Sequence, residues 1–327
     1  MKHWVILASA CVGACLGLAW PAQSQEEAPS APPAPPARVV VDVRSDRILL
    51  LDLVKAGNRL IAAGERGFTL VSDDGGESWQ GRPTPVTRTL TALAFKDART
   101  GVAVGHGGSL IRTDDGGTQW QQVQLEDAGT DSLLGVTHLG GDHFIAYGAF
   151  GLYFDSQDAG RTWTRGRVLG EDFDRHISQV IPVADSLLLV AESGTLARSD
   201  DGGVTWTELT SPYAGSYFGA VAVPDGGVVV FGMRGQVYRT ADMGATWRKV
   251  ELGTTTSLMS GRVLSDGRVL LVGNAGLLAV SRDGGQTFEL HASNGGKGFT
   301  AAIEVDGRVI LAGEGGITPL DPAWLAK

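Results

Sequence analysis

Cysteine is nearly absent: Cys11 and Cys15 are the only two in 327 residues. Beyond residue 15 this excludes a disulfide framework, a thiolate metal site and a cysteine nucleophile. Lysine is scarce as well, with 6 Lys against 21 Arg, so most cationic donors are planar guanidinium groups. The net charge of −9 argues against a general nucleic-acid binder, and any basic site must be local. His106, His138, His143 and His176 show no close ligand spacing, so neither a metal nor another cofactor is expected. No Gly-x-Ser-x-Gly turn occurs, leaving serine hydrolysis without a nucleophile. Charged residues make up only 19% and hydrophobic ones 43%, which excludes global disorder. What is abundant is glycine: its 47 residues are about twice the usual share, which argues against an all-helical chain.

The longest apolar run, Trp4–Ala19, follows Lys2 and His3 and precedes the small-residue site Ala22-Gln23-Ser24. It is short for a membrane span and has the layout of a cleaved export signal. Residues 1–24 are therefore read as a signal peptide, with a periplasmic or lumenal destination. A membrane anchor is one alternative; another is Val12-Gly13-Ala14-Cys15, which resembles a lipoprotein box and would lipidate Cys15. Residues 25–37 form a linker rich in proline and alanine, an extended spacer.

From residue 38 to 327 the sequence repeats. An octapeptide of pattern Ser/Thr-x-Asp-x-Gly-x-Thr-Trp begins at Ser72, Thr113, Ser156, Ser199, Thr240 and Ser281, with Phe288 replacing Trp in the last copy. The copies lie 41 to 43 residues apart. Eight residues before each stands an apolar run ending in Gly-x-x-Gly, degenerate at Ala191 and Gly194, and a seventh such turn, Gly313 to Gly316, has no octapeptide after it. Each unit reads as four short strands, as in Leu90 to Phe95, Val102 to Val104, Ser109 to Arg112 and Trp120 to Leu125. Seven such units make an all-β, seven-bladed β-propeller with four-stranded blades. The last unit supplies three strands and Val39 to Val43 is left over, so that strand is expected to complete blade seven and close the ring.

The octapeptide aspartates Asp74, Asp115, Asp158, Asp201, Asp242 and Asp283 suit a structural turn, with the carboxylate accepting backbone N–H groups and the aromatic packing between blades. The further spaced carboxylates of a calcium loop are missing, and no Lys-Ser/Thr follows the Gly-x-x-Gly turns as in a phosphate loop.

The octapeptide is the Asp-box, or BNR repeat. The stretch Ala63 to Trp79, echoed at Val104 to Trp120, resembles the photosystem II stability and assembly factor family of seven-bladed propellers, and the resemblance covers roughly residues 38 to 320. It implies export and, in photosynthetic organisms, a role in photosystem II assembly in which an Arg-rich patch holds a newly made reaction-centre subunit. Similar sequences in non-photosynthetic bacteria imply only a periplasmic binding or assembly role. Asp-boxes also occur in sialidases, xyloglucan hydrolases and sorting receptors, so the motif specifies fold more than function. No Arg-Ile-Pro of the sialidase kind occurs.

In a propeller the Asp-box turns share one face, which leaves the Gly-x-x-Gly turns and blade-to-blade links on the other. The second face collects Arg66, Arg88, His106, Arg175, His176, Tyr213, Tyr217, Arg234 and Lys297, a set suited to an acidic or carboxylate-ended polypeptide. The expected partner is a membrane or periplasmic protein, not nucleic acid, and the expected state is a monomer without enzymatic activity. Glu65, Glu192 and Glu314, at equivalent turn positions, leave a second reading open: a glycan-binding or glycosidase propeller with a pair of them as acid and base.

Overall fold

The structure, a computed structural model, describes residues 44–293 and 295–324. The signal 1–24, the linker 25–37 and the closing strand Val39–Val43 lie outside the described residues.

Seven antiparallel sheets follow one another, each built from strands adjacent in sequence. Their first strands are Leu50–Ala56, Leu90–Phe95, Leu133–Gly140, Ile177–Val183, Tyr217–Ala222, Leu258–Val263 and Phe299–Val305. Each first strand neighbours that of the next blade, and the seventh neighbours the first, so the ring closes. The chain is an all-β, seven-bladed propeller. Six sheets have four strands; blade seven has three, Phe299–Val305, Arg308–Gly313 and Gly316–Pro319, among the described residues.

A blade has no core of its own. The second strands are apolar and buried, Gly101–Gly105 and Val228–Gly232 along their whole length and others after a polar first residue such as Arg59 or Arg308, because both faces of each sheet meet a neighbouring blade. The seven apolar clusters accordingly each draw on two blades. The fourth strands are shorter than the sequence pattern suggests: Trp120 to Leu125 yields only Gln121–Gln122. Val123 and Leu125 are apolar because they pack in the seam with blade three, not because they extend the sheet.

Side chains of the first strands tie the blades together around the axis. Asp52 accepts Leu93 N–H at 2.7 Å, Thr91 donates to Leu133 O at 2.9 Å, and Thr137 donates to Val180 O at 2.8 Å. Gln179 accepts Ala220 N–H at 2.8 Å, Arg262 Nε donates to Ala302 O at 2.9 Å, and Thr300 donates to Leu50 O at 2.7 Å. The seam between blades five and six is apolar at this level, and a Cβ at Gly261 would stand 2.7 Å from Val221.

The six Asp-boxes share one geometry. The Ser or Thr hydroxyl donates to Asp Oδ1 at 2.7–2.9 Å and accepts the N–H of the glycine four residues on at 2.8–3.0 Å. Asp Oδ1 also accepts the N–H four residues beyond the aspartate, at 2.8–3.0 Å. The turn so fixed aims Trp79, Trp120, Trp163, Trp206, Trp247 and Phe288 into six of the seams. In the seam between blades six and seven, where no Asp-box serves, Leu320 and Trp324 pack instead.

Hydroxyl and backbone donors favour the charged carboxylates. The Thr205 and Thr246 hydroxyls, with the adjoining N–H groups, hold Asp201 and Asp242 at about 2; against the pull of partial burial, Thr287 brings Asp283 to about 2 as well. The unfolded value is 3.8, so the unfolded chain binds more protons as pH falls below it. This stabilisation is complete above about pH 4 and is lost as pH drops towards 2. Thermal melts are expected to fall steeply across that window, and Asp201→Asn is expected to lower the melting temperature near neutrality by a few degrees while shrinking the acid-dependent drop.

Candidate functional site

The turns joining second to third strands lie at one end of every blade, beside the links entering the first strands. In all seven blades the first turn residue donates its N–H to a carbonyl at the entry of its own blade, from Glu65 to Leu49 O through Glu314 to Gly298 O, at 2.9–3.1 Å. Where that residue is glutamate, its side chain bonds back to the same entry. Glu65, Glu192 and Glu314 accept the N–H of Leu49, His176 and Gly298, each 16 residues earlier, at 3.4, 2.8 and 3.0 Å. Although partial burial opposes it, the His176 N–H and ring hold the Glu192 carboxyl below its usual value. These glutamates clasp the backbone, which gives their recurrence at equivalent turn positions a structural reason.

In blades one to six the second turn residue is left-handed even where it is not glycine: φ is 61° at Arg66, 53° at Phe150, 55° at Ser193, 57° at Arg234 and 53° at Ala275. Blade two uses Gly107 there, at 65°. The glycine that follows cannot carry a side chain, because the link presses on it: a Cβ at Gly67 would lie 1.9 Å from Val86 O, and one at Gly235 2.4 Å from Thr254 O. The second residue is thereby pushed outward, and Arg66, Phe150 and Arg234 are exposed.

Where the turn lacks this side chain, a link supplies one. Arg88 lies over Gly107, its guanidinium 2.8 Å from where a Cβ would be, and Lys297 lies over Gly315 at 3.0 Å. Lys297, Arg66 and Arg88 thus occupy three successive blades, seven, one and two. Among the described residues no side chain forms an ion pair or hydrogen bond with the head groups of Arg66, Arg88, Arg234 or Lys297. Their N–H groups are open to an incoming carboxylate.

The other predicted residues are more tightly held. Arg175 donates to Thr195 Oγ1 at 2.7 Å, His106 Nδ1 lies 2.9 Å from Ser132 Oγ, and His176 Nδ1 lies 2.9 Å from Glu192. Tyr213 is half-buried and stacks on Tyr238 with centroids 6.1 Å apart. Tyr217 is a correction: it is fully buried at the start of its first strand, with its hydroxyl 2.9 Å from Ser211 Oγ and its phenol pushed by burial up to about 12. It packs the seam between blades four and five and exposes no surface on this face. Phe150, which no motif in the sequence singles out, is 55% exposed on this face.

Glycine relieves a left-handed φ and alanine cannot. Arg234→Gly is expected to leave stability equal or raise it by about 0.5–1 kcal/mol, whereas Gly67→Ala is expected to lower it by more than about 1 kcal/mol. Denaturant unfolding of both variants checks the pair.

No curated protein sequence matches the chain. Among solved structures, YCF48 bound to D1 peptide is 19% identical, with a TM-score of 0.70 over 83% of this chain and 92% of that one. YCF48 from Cyanidioschyzon merolae is 17% identical, with a TM-score of 0.70 over 87% and 98%. An ancestral GH74 enzyme, also 17% identical, has a TM-score of 0.67 over 82% of this chain but 44% of its own. At these identities the likenesses speak to fold alone. The family model of the photosynthesis system II assembly factor YCF48 matches residues 77–255, more than half of the sequence. The chain is a member of the YCF48 family of photosystem II assembly factors.

Proposed function

We propose that the chain is an exported, non-enzymatic propeller that holds an acidic or carboxylate-ended segment of a membrane or periplasmic protein while a larger complex is put together. The observation that carries this reading is the set of exposed cations without side-chain partners on the turn-and-link face. Open guanidinium groups meet carboxylates with two parallel hydrogen bonds, and Arg66 and Arg234 stand on rigid turns that lose little freedom on binding. The solved complex of a YCF48 with D1 peptide supports a peptide as the ligand class. The glutamates of the glycosidase alternative each accept a backbone N–H group, which gives them a structural role.

Crosslinking of the tagged chain in its native envelope is expected to capture one membrane protein. Arg66→Glu combined with Arg234→Glu is expected to lose that capture at least tenfold with an unchanged melting temperature. Capture retained by the double variant would overturn the assignment of these anchors.

We also propose that Val39–Val43 supplies the fourth strand of blade seven. Ser45 O accepts Ile317 N–H at 2.8 Å and presses on Gly316 as Val86 O presses on Gly67 and Thr254 O on Gly235. In blades one and five the residue four before the pressing carbonyl lies on the fourth strand and pairs with the residue two after the glycine. Arg82 thus stands opposite Thr69, and Val250 opposite Val237. Carried to blade seven, this register sets Val41 opposite Thr318 and Asp42 opposite Ile317. Val41→Cys with Thr318→Cys, in a chain beginning at Gln25 and so free of other cysteines, is expected to form a disulfide on oxidation. Deleting residues 38 to 44 is expected to lower the melting temperature, and an unchanged melt would refute the closure.

A further inference from the structure

The first strands of all seven blades enclose a cavity of about 270 Å³ on the propeller axis, at the small end of the range for ligand sites. Two charged side chains stand in its wall, Asp52 from blade one and Arg262 from blade six. At the position of Asp52 other blades carry Ala92, Gly135 or Gly219, and at that of Arg262 they carry Val54, Ile181 or Val221. The ties between blades do not account for the two charges, because Thr91, Thr137, Gln179 and Thr300 make the same kind of tie with neutral groups.

Both charges have bonding capacity to spare. Asp52 accepts Leu53 N–H at 2.8 Å and Leu93 N–H at 2.7 Å, one at each oxygen, which leaves about half of the carboxylate's lone pairs. Arg262 spends Nε on Ala302 O at 2.9 Å, and among the described residues neither of its terminal nitrogens has a hydrogen-bond partner. Each charge lies in the field of the other, yet among the described residues the two form no ion pair. The same wall carries the Ser178 and Ser260 hydroxyls and the Gln179 amide nitrogen, which have no protein partner among the described residues either.

A cation and an anion held apart in the wall of one small polar cavity match a ligand that carries both charges at a fixed separation. We infer that the axial cavity is a binding site for a small zwitterion of the α-amino-acid class, its carboxylate on the Arg262 guanidinium and its ammonium on the Asp52 carboxylate. A simple anion would meet Arg262 with Asp52 and Glu304 both in its field, and a simple cation would leave the guanidinium unmatched. Asp52 and Arg262 belong to the blades on either side of blade seven, so a ligand joining them braces the ring where its last blade meets its first. Bound ligand therefore stabilises the folded propeller. The site is independent of the capture reading of the turn-and-link face.

Isothermal titration calorimetry of the purified, dialysed chain with glycine and L-alanine, and with acetate and methylammonium at equal ionic strength, tests the site. The two zwitterions are expected to bind at least about tenfold more tightly than either single-charge probe and to raise the melting temperature. Arg262→Gln and Asp52→Asn are each expected to weaken zwitterion binding by about tenfold or more. Ser260→Leu, which keeps both charges and fills part of the space, is expected to abolish binding and carries the test if a charge variant does not fold. Acetate bound as tightly as glycine overturns the zwitterion assignment. A wild type that binds neither amino acid, or affinity kept by any folded variant, overturns the site.

Discussion

A small antiparallel sheet standing on edge has two apolar faces and nothing of its own to cover them. Everything else in this molecule follows from that deficit. The second strands are apolar on both sides because each side is a seam, and seven seams close only as a ring. The hydroxyls, carboxamide, carboxylate and guanidinium of the first strands then satisfy main-chain groups of the neighbouring blade near the axis, where a row of edges would otherwise be left open.

The Asp-box and the Gly-x-x-Gly turn serve the seams from opposite ends. At one end a buried-hydroxyl and carboxylate turn orients an aromatic that seals the gap between sheets. At the other a link carbonyl is packed so closely on a glycine that the residue before it is turned outward. The six Asp-box aspartates are engaged in turn formation, while at the other end several cations keep their head groups open beside link acids such as Asp131, Glu171 and Asp174. A chain of net negative charge thus presents guanidinium and ammonium groups on one face.

The repeat made the fold legible because a period of 41 to 43 residues, with punctuating glycines, leaves few arrangements other than a ring of blades. Local turn chemistry was legible for the same reason. Aligning the repeats also explains the misplacement of Tyr217: its equivalents Leu50, Leu90, Leu133, Ile177, Leu258 and Phe299 are all buried apolar residues, so its hydroxyl disguised a core position. The clasping by Glu65, Glu192 and Glu314 was hidden because it depends on main-chain N–H groups that carry no residue signature. The placement of Arg88 over Gly107 depends on a link folding back onto a turn, a through-space relation that no spacing rule encodes.

The second turn position has a further consequence for how such a protein changes over time. Arg66, Gly107, Phe150, Ser193, Arg234, Ala275 and Gly315 hold equivalent places, and residues this different are accepted because none of them enters a seam. The scaffold therefore separates heritable variation in recognition from variation in foldability. Each slot can drift, be recruited or fall silent as glycine on its own, so an ancestral ring can pass to a new client through single substitutions without an unstable intermediate.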